Sequence, residues 1–181
     1  VVATVAGFPG ADADRPAYDL LAQAMTGLMA ITGDPDGPPM KAGVAVVDLL
    51  AGLECAVGAL AALVGRGRTR AVSVSLMEAG LTGLINVLGS HLASGQEPRR
   101  QGNAHASIAP YQSFAARDGH VVIAVGNDGQ FRRLLDALGL RDDEGRYVTN
   151  PQRVAAREEL DDVRARLDAI VADVAGTTGI R

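Results

Sequence analysis

The chain has 181 residues, of which 48% are hydrophobic, 21% charged and 3% aromatic, a composition that excludes a disordered tail because so many residues can be buried. The net charge of −4 argues against a nucleic-acid partner, since such partners need a basic surface. Cys55 is the only cysteine, which excludes an intrachain disulfide and a cysteine-based metal site and favours a reducing cytoplasm.

The first half of the chain predicts alternating strands and helices. β-branched residues predict a strand over residues 1–5, and apolar residues at helical spacing predict a helix over 19–30. Prolines and glycines then interrupt the pattern over 33–39. A long helix is expected over 44–64, followed by a strand over 71–75 and a helix over 76–93. Because the chain opens on a β-branched run without a methionine, we expect it to be a fragment of a longer protein.

The second half predicts a hairpin followed by helices. Residues 94–109 are polar and read as a linker or long functional loop. Two β-type runs, at 111–114 and 120–125, flank a short glycine-containing turn. Helices are predicted over about 129–138, with Asp128 as N-cap, and over 151–174. The organisation is therefore an α/β half followed by an α+β half.

Asp48 is the strongest candidate for a catalytic residue. It lies near the start of the apolar 44–64 segment, and the residues that follow on its side of the helix are small, namely Ala51, Gly52, Cys55, Ala59 and Ala62. Small neighbours predict close packing and a buried or half-buried carboxylate. The helix dipole would help to keep that carboxylate ionised, as a nucleophile or base requires. A surface acid paired with Lys41 is the structural alternative.

Other features of the sequence are open to two interpretations. The segment 44–64, 21 residues long and mostly apolar, could cross a membrane, but its two acids and its alanine and glycine content favour a buried helix of a soluble protein. Tyr18 could bond a substrate carbonyl or pack as a hydrophobic staple, and Asp19 is most simply an N-cap. His105 lies in a loop of small residues that could be a lid or simply exposed.

Six segments, taken in order, carry a resemblance to a known family: PAYDLLAQA from residue 16, GPPMK from 37, VVDL from 46, SVSLMEA from 73, RRQGNAH from 99 and PYQ from 110. Together they resemble family III CoA-transferases, which include formyl-CoA transferase, carnitine CoA-transferase and the α-methylacyl-CoA racemases. The resemblance extends to about residue 140 and implies the middle portion of a longer chain.

The resemblance implies a fold and a domain organisation. Residues 1–94 would form part of a Rossmann-like large domain with the catalytic aspartate, 95–109 a linker or active-site loop, and 110–181 a small α+β domain. It also implies an interlocked homodimer in the cytoplasm, with neither membrane nor nucleic acid as partner. The substrates would be an acyl-CoA and a carboxylic acid, and coenzyme A would take part as substrate, with no tightly bound cofactor or metal.

The resemblance also assigns roles to residues. Asp48 would attack the acyl-CoA and pass through an anhydride to an aspartyl-CoA thioester. Four residues would lie beside the thiol end of CoA: Pro16, Ala17, Tyr18 and Asp19. Four more match a glycine-rich loop that covers the site in formyl-CoA transferase: His105, Ala106, Ser107 and Ile108. Racemases carry a histidine where this chain has Tyr18, which favours transfer. The alternatives are a racemase with Asp48 as base, or an inactive fragment that serves only binding or assembly.

Overall fold

A computed structural model describes residues 1–66, 68–116 and 119–156 of the chain. The chain divides into two compact units, Val1–Gly102 and Asn103–Arg181. The division falls inside the 95–109 segment that was expected to be a linker. Each unit contains both helices and strands.

The elements of the first unit are β1 (Val2–Ala6), α1 (Asp19–Met25), α2 (Leu28–Ile31), α3 (Val46–Val64), β2 (Ala71–Ser75), α4 (Leu76–Gly83) and α5 (Ile85–Ser94). The described elements of the second unit are β3 (Tyr111–Ala116), β4 (Gly119–Ala124), α6 (Asp128–Leu138) and α7 (Asn150–Ala155).

A parallel pair of strands organises the first unit. β1 and β2 pair from Val2 opposite Ala71 to Ala6 opposite Ser75. Because parallel strands cannot be joined by a tight turn, the chain between them makes a long crossover that contains α1, α2 and α3. α3 lies close to β2: a Cβ placed on Gly58 would stand 2.6 Å from a methyl carbon of Val72. The strands and the long helix agree with the sequence prediction.

Small residues form the core of the first unit. Side chains from α1, α3 and α4 meet there, with Leu76 beside four others: Ala22, Val47, Ala51 and Ala79. Glycine brings the helices closer still, since a Cβ on Gly80 would stand 2.7 Å from the Thr26 methyl group. The first turn of α3 is thereby held against α1 and α4.

Two of the predicted helices are each divided in the structure. The helix expected over 19–30 is interrupted at Gly27, whose φ of +90° is in the left-handed region. The Thr26 hydroxyl donates to the Ala22 carbonyl at 2.7 Å and closes the end of α1. The helix expected over 76–93 is interrupted at Ile85, where φ is +47°. The spacing of apolar residues does not indicate where a single residue with positive φ interrupts a helix.

The second unit confirms the predicted hairpin. β3 and β4 pair antiparallel, with Phe114 opposite Val121. α6 covers the hairpin with a core that consists of Ala109, Phe114, Val125, Phe131, Leu135 and Leu138. α7 confirms the start of the helix expected over 151–174, whose remainder lies outside the described residues. The predicted N-cap is wrong: Asn127 caps α6 by accepting from the Gln130 amide at 2.9 Å.

Candidate active site

Asp48 lies in the first turn of α3, and its side chain is exposed in this chain. The expected burial is therefore wrong for these 181 residues. Val47 faces the core and is fully buried, and successive helical residues are about 100° apart, so Asp48 faces away from the core. The small residues that follow are mixed, since Ala51 is buried and Gly52 exposed. The result is a carboxylate presented at the start of a long helix.

The carboxylate of Asp19 caps the helix that carries Asp48. One of its oxygens accepts from the amide of Val47 at 2.7 Å and from the amide of Asp48 at 3.2 Å. The prediction that Asp19 caps its own helix is wrong, because Tyr18 occupies the N-cap position of α1 without a side-chain bond. Ala45, the N-cap of α3, has no polar side chain, so Asp19 supplies the cap from another helix.

All four amides at the start of α3 have partners. Those of Val47 and Asp48 donate to Asp19, that of Val46 donates to the Val44 carbonyl at 2.9 Å, and that of Leu49 donates to the Ala45 carbonyl at 3.2 Å. Because these four amides already have partners, the Asp48 carboxylate is presented at the helix start without forming part of its cap. Lys41, the alternative partner for Asp48, donates to the carbonyl of Ala42 at 3.1 Å.

Gln23 is a polar residue of this region that the sequence analysis did not single out. Its side chain is fully buried, and it bonds to the other oxygen of Asp19, to the amide of Ala42 and to the carbonyl of Val44. The signal that could have found it is its spacing: Asp19 and Gln23 are four residues apart on a helix and therefore neighbours on one face.

One proposed substrate segment consists of Pro16, Ala17, Tyr18 and Asp19. Its last residue, Asp19, is hydrogen-bonded to the start of α3. Ala17 packs against Gly7, where an added Cβ would stand 2.5 Å from the Ala17 methyl group. Tyr18 is 82% exposed, so the expectation that it could pack as a staple is wrong for this chain. Its phenol is left available on the surface of the first unit.

His105 belongs to the second unit and is half-buried, which excludes a simple exposed loop residue. Its amide donates to the Tyr111 carbonyl at 2.8 Å, and its Nδ1 accepts from the Ser107 amide at 3.1 Å. The ring also packs on Tyr111 at a centroid distance of 5.2 Å. Ala106 is exposed and Ile108 half-buried in the same loop.

Helix α7 holds the end of this loop. The Asn150 side chain donates to the Ser107 carbonyl at 2.8 Å and accepts from the Ala109 amide at 3.1 Å. Arg153 donates through Nε to the Ala109 carbonyl at 2.8 Å. Since the loop is bonded to a helix at these points, a lid that swings freely on its own is not the arrangement in the structure.

Arg153 also pairs with an acid at the start of α6. Its guanidinium is fully buried and lies 2.7 Å from a carboxylate oxygen of Asp128. The hydrogen bond from Arg153 lowers the pKa of the Asp128 carboxyl below its ordinary value; partial removal from water opposes this effect, and the positive charge of Arg153 adds to it. The same guanidinium stacks on Phe131 at 4.4 Å.

α3 is the one helix among the described residues that is long and apolar enough to cross a membrane. This is weak evidence by itself, because long core helices of soluble proteins have the same length and composition. Among the described residues, no group of three or more His, Cys, Asp or Glu side chains is placed to hold a metal ion.

Known proteins match almost the whole chain. The model of CoA-transferase family III matches residues 1–176. A succinate–glutarate CoA-transferase of Agrobacterium fabrum is 43% identical over 88% of the chain, and a succinyl-CoA:mesaconate CoA-transferase of Haloarcula marismortui is 40% identical over 81%. The crystal structure of a CaiB/BaiF family protein from Brucella suis superposes with a TM-score of 0.70, at 39% identity over 93% of the chain.

These relatives are much longer than the chain. It covers 42% of the Agrobacterium protein, 38% of the Haloarcula protein and 46% of the Brucella chain. The 181 residues therefore span less than half the length of the relatives they match.

Proposed function

Because the chain belongs to CoA-transferase family III, we propose that it forms part of an enzyme that moves CoA from an acyl-CoA to a free carboxylic acid. The mixed α/β fold and the similarity to the Brucella structure agree with this family. The observation that carries the proposal is the position of Asp48, an exposed carboxylate in the first turn of a helix whose own amides are already capped.

The proposed reaction uses Asp48 as a nucleophile. Its carboxylate attacks the thioester carbonyl of the acyl-CoA, a mixed anhydride forms, and CoA leaves as a thiolate. The thiolate then attacks the aspartyl carbonyl of the anhydride, which releases the first carboxylate and leaves an aspartyl-CoA thioester.

The second half of the reaction reverses these steps with a different acid. The acceptor carboxylate attacks the aspartyl-CoA thioester and again releases the CoA thiolate. That thiolate attacks the acceptor's carbonyl in the new anhydride, so that an acyl-CoA forms and the Asp48 carboxylate is regenerated. No oxidant, metal or external base is consumed.

The reaction needs alignment more than chemical activation. A carboxylate is a weak nucleophile in water, but correct orientation of the reacting groups can supply about 7–11 kcal/mol of the barrier reduction. A helix that is held firmly at its start therefore suits this nucleophile.

Substrate contacts are proposed for two segments. Pro16, Ala17, Tyr18 and Asp19 would lie beside the thiol end of CoA, and His105, Ala106, Ser107 and Ile108 would belong to a second substrate-binding segment. The relatives from Agrobacterium and Haloarcula are named for succinate, glutarate and mesaconate, which supports a short dicarboxylic acid as substrate. We further propose that the enzyme is a cytoplasmic homodimer.

Asp48→Asn in the full-length enzyme should abolish transfer, since the amide keeps the size of the side chain but cannot attack a thioester. Glu54→Gln, which removes the other acid of α3, is the matched control and should keep most of the activity. The measurement is CoA transfer from succinyl-CoA to glutarate, together with mass spectrometry of the enzyme after hydroxylamine treatment, which labels an aspartyl thioester.

Two results would contradict the proposal. One is an Asp48→Asn enzyme that keeps more than about a tenth of kcat, equivalent to a barrier change of less than about 1.4 kcal/mol. The other is incorporation of deuterium at the α-carbon of a 2-methylacyl-CoA without transfer, which would identify a racemase. A wild-type enzyme with neither activity would indicate a binding or assembly role.

A further inference from the structure

A buried glutamine connects the start of α1 to the start of α3. Gln23 is fully buried, although its amide is one of the more expensive groups to remove from water without partners. Its neighbour in α1, Ala22, belongs to the apolar core, whereas Gln23 is a polar side chain that is also fully buried. An amide there needs a reason other than core packing.

The three hydrogen bonds of Gln23 all lead to the entrance of α3. Its Nε2 donates to the Asp19 oxygen that does not cap the helix, and also to the carbonyl of Val44 at 3.4 Å. Its Oε1 accepts from the amide of Ala42 at 2.8 Å. One side chain thus fixes both the capping carboxylate and the chain segment that enters the helix.

The direction of Asp48 depends on these same bonds. The Asp48 amide is bonded to Asp19 at 3.2 Å, and Asp19 is held by Gln23. The Ala45 side chain cannot cap the helix in their absence. Loosening this arrangement would let the first turn of α3 fray, and the carboxylate of Asp48 would sample several orientations.

We propose, on the basis of the proposed function, that Gln23 is a positioning residue for Asp48. It holds the Asp19 carboxylate on the amides of Val47 and Asp48 and holds residues 42–44 at the same helix end. Gln23 touches no reacting atom; its effect on the reaction passes through Asp19 and the backbone of α3.

Exchange of functional groups between Asp19 and Gln23 provides a direct test. Gln23→Glu keeps the size and the acceptor for the Ala42 amide, but it places a second carboxylate against Asp19. In the double variant Asp19→Asn and Gln23→Glu, the Asn amide can donate to the Glu carboxylate while its oxygen still accepts from Val47 and Asp48. The single variant breaks the bond between the two side chains, and the double variant restores that bond with the net charge of the wild-type pair, while both variants lose the donor to the Val44 carbonyl.

The expected results follow from this geometry. In the full-length enzyme, Gln23→Glu should lower kcat by about 10- to 100-fold, as for a misplaced catalytic group, with KM changed less than about threefold. The double variant should be faster than Gln23→Glu, with Asp19→Asn alone as the reference for the cost of changing Asp19 itself. Amide hydrogen exchange at Val47 and Asp48 should be faster in the single variant and return towards wild type in the double variant.

A matched control separates positioning from general stability. Ser75→Ala removes the capping box of α4, which the Ser75 hydroxyl forms with Glu78, and should lower the unfolding midpoint without lowering kcat. If Gln23→Glu does not fold, Gln23→Met takes its place; it removes all three hydrogen bonds of Gln23 without adding charge, and a loss of kcat of at least the same size is expected.

The inference is overturned if Gln23→Glu keeps its kcat, if the double variant is as slow as the single one, or if exchange at Val47 and Asp48 is unchanged. Failure of the proposed function gives a different pattern: the wild-type enzyme then forms no adduct on Asp48 and transfers no CoA. In that case the hydrogen-exchange result alone decides whether Gln23 orders the helix start.

Discussion

Arg153 uses all three nitrogens of its guanidinium inside the second unit. Nε donates to the Ala109 carbonyl, one terminal nitrogen donates to the carbonyls of Tyr147 and Val148, and the other pairs with Asp128. The side chain is fully buried, so these bonds replace the water that the charge would otherwise need. The bond to Ala109 holds the end of the loop that contains His105. Protonation of Asp128 in acid would therefore weaken the same Arg153 that holds a proposed substrate-binding segment.

The pair predicts a loss of stability in acid. The pKa of Asp128 is lower in the folded protein than in the unfolded chain, chiefly because of the hydrogen bond from Arg153. The stabilisation is therefore complete above the ordinary aspartate pKa of about 4, and it is lost as the pH falls through the lower folded-state pKa. Asp128→Asn should lower the free energy of unfolding at neutral pH and flatten its decline in acid.

The measurement is denaturant unfolding of the full-length protein as a function of pH. Asp136→Asn is the matched control, since Asp136 is exposed on the same helix, and it should leave the profile as in wild type. An Asp128→Asn profile that parallels the wild-type profile down to pH 2 would show that the ion pair makes no pH-dependent contribution.

Tyr18 gives a second prediction at the scale of a residue. Since its side chain is 82% exposed in this chain, Tyr18→Phe should leave the unfolding midpoint of the full-length enzyme unchanged. Loss of one neutral hydrogen bond to a thioester, worth about 1 kcal/mol, should slow transfer about fivefold to tenfold. Equal transfer rates in steady-state assays of the two proteins would remove Tyr18 from the proposed site.

At this scale the sequence identified Asp48 but not the contacts around it. A lone acid near the start of an apolar helix is visible in the residue pattern. The role of Asp19 as a cap is not visible in that pattern, because the two amides that it caps lie 28 and 29 positions away in the sequence. Only the tertiary structure brings them together. Gln23 was missed for the same reason. The expected burial of Asp48 was wrong because spacing alone did not show that Val47 faces the core.

At the scale of elements, predictions succeeded where one periodicity lasts for a whole element. The hairpin, both strands of the first unit and the long helix α3 have such patterns. The interruptions at Gly27 and Ile85 were missed, since an apolar pattern continues through a single residue with positive φ. The cap of α6 was assigned one residue too late because Asn127 and Asp128 are both good capping residues.

Helix α3 should tolerate no side chain at Gly58. A Cβ there would stand 2.6 Å from a methyl carbon of Val72, whose β-branched side chain has little freedom to move. Gly58→Ala should therefore destabilise the full-length protein by about 1–3 kcal/mol. Gly89→Ala in α5, where an added Cβ meets nothing within 4 Å, should instead stabilise it by about 0.5–1 kcal/mol.

Thermal or denaturant unfolding of the two alanine variants distinguishes the outcomes. Opposite signs are expected because both glycines lie inside helices and differ in the space around them. A Gly58→Ala protein as stable as wild type would mean that α3 can move away from β2 at little cost.

At the scale of the whole molecule, α3 has apolar side chains that the rest of the described residues leave exposed. Five large side chains at spacings of three or four residues are more than half exposed: Leu49, Leu53, Val57, Leu60 and Val64. These spacings place them along one stripe of the helix. An apolar stripe of this length needs cover, and the relatives of the chain have more than twice its length.

We therefore predict that the isolated 181 residues associate or aggregate, while the full-length protein is a dimer whose unfolding depends on protein concentration. Sedimentation of both proteins, with and without Leu53→Glu, is the measurement. The substitution should raise the soluble fraction of the isolated chain and weaken the full-length assembly. A stable, well-folded monomer of the isolated wild-type chain would contradict the prediction.

The capping of α3 by Asp19 has a consequence for the order in which the protein folds. The oxygen that completes the first turn lies 28 residues upstream of the Val47 amide, so that turn cannot be finished until α1 has docked. Bringing the ends of so long a segment together costs conformational entropy, and the hydrogen bonds of the cap offset that cost only after the ends have met. We therefore predict that the turn that carries Asp48 forms after the middle of its own helix, and that the proposed nucleophile is oriented only once α1 has docked.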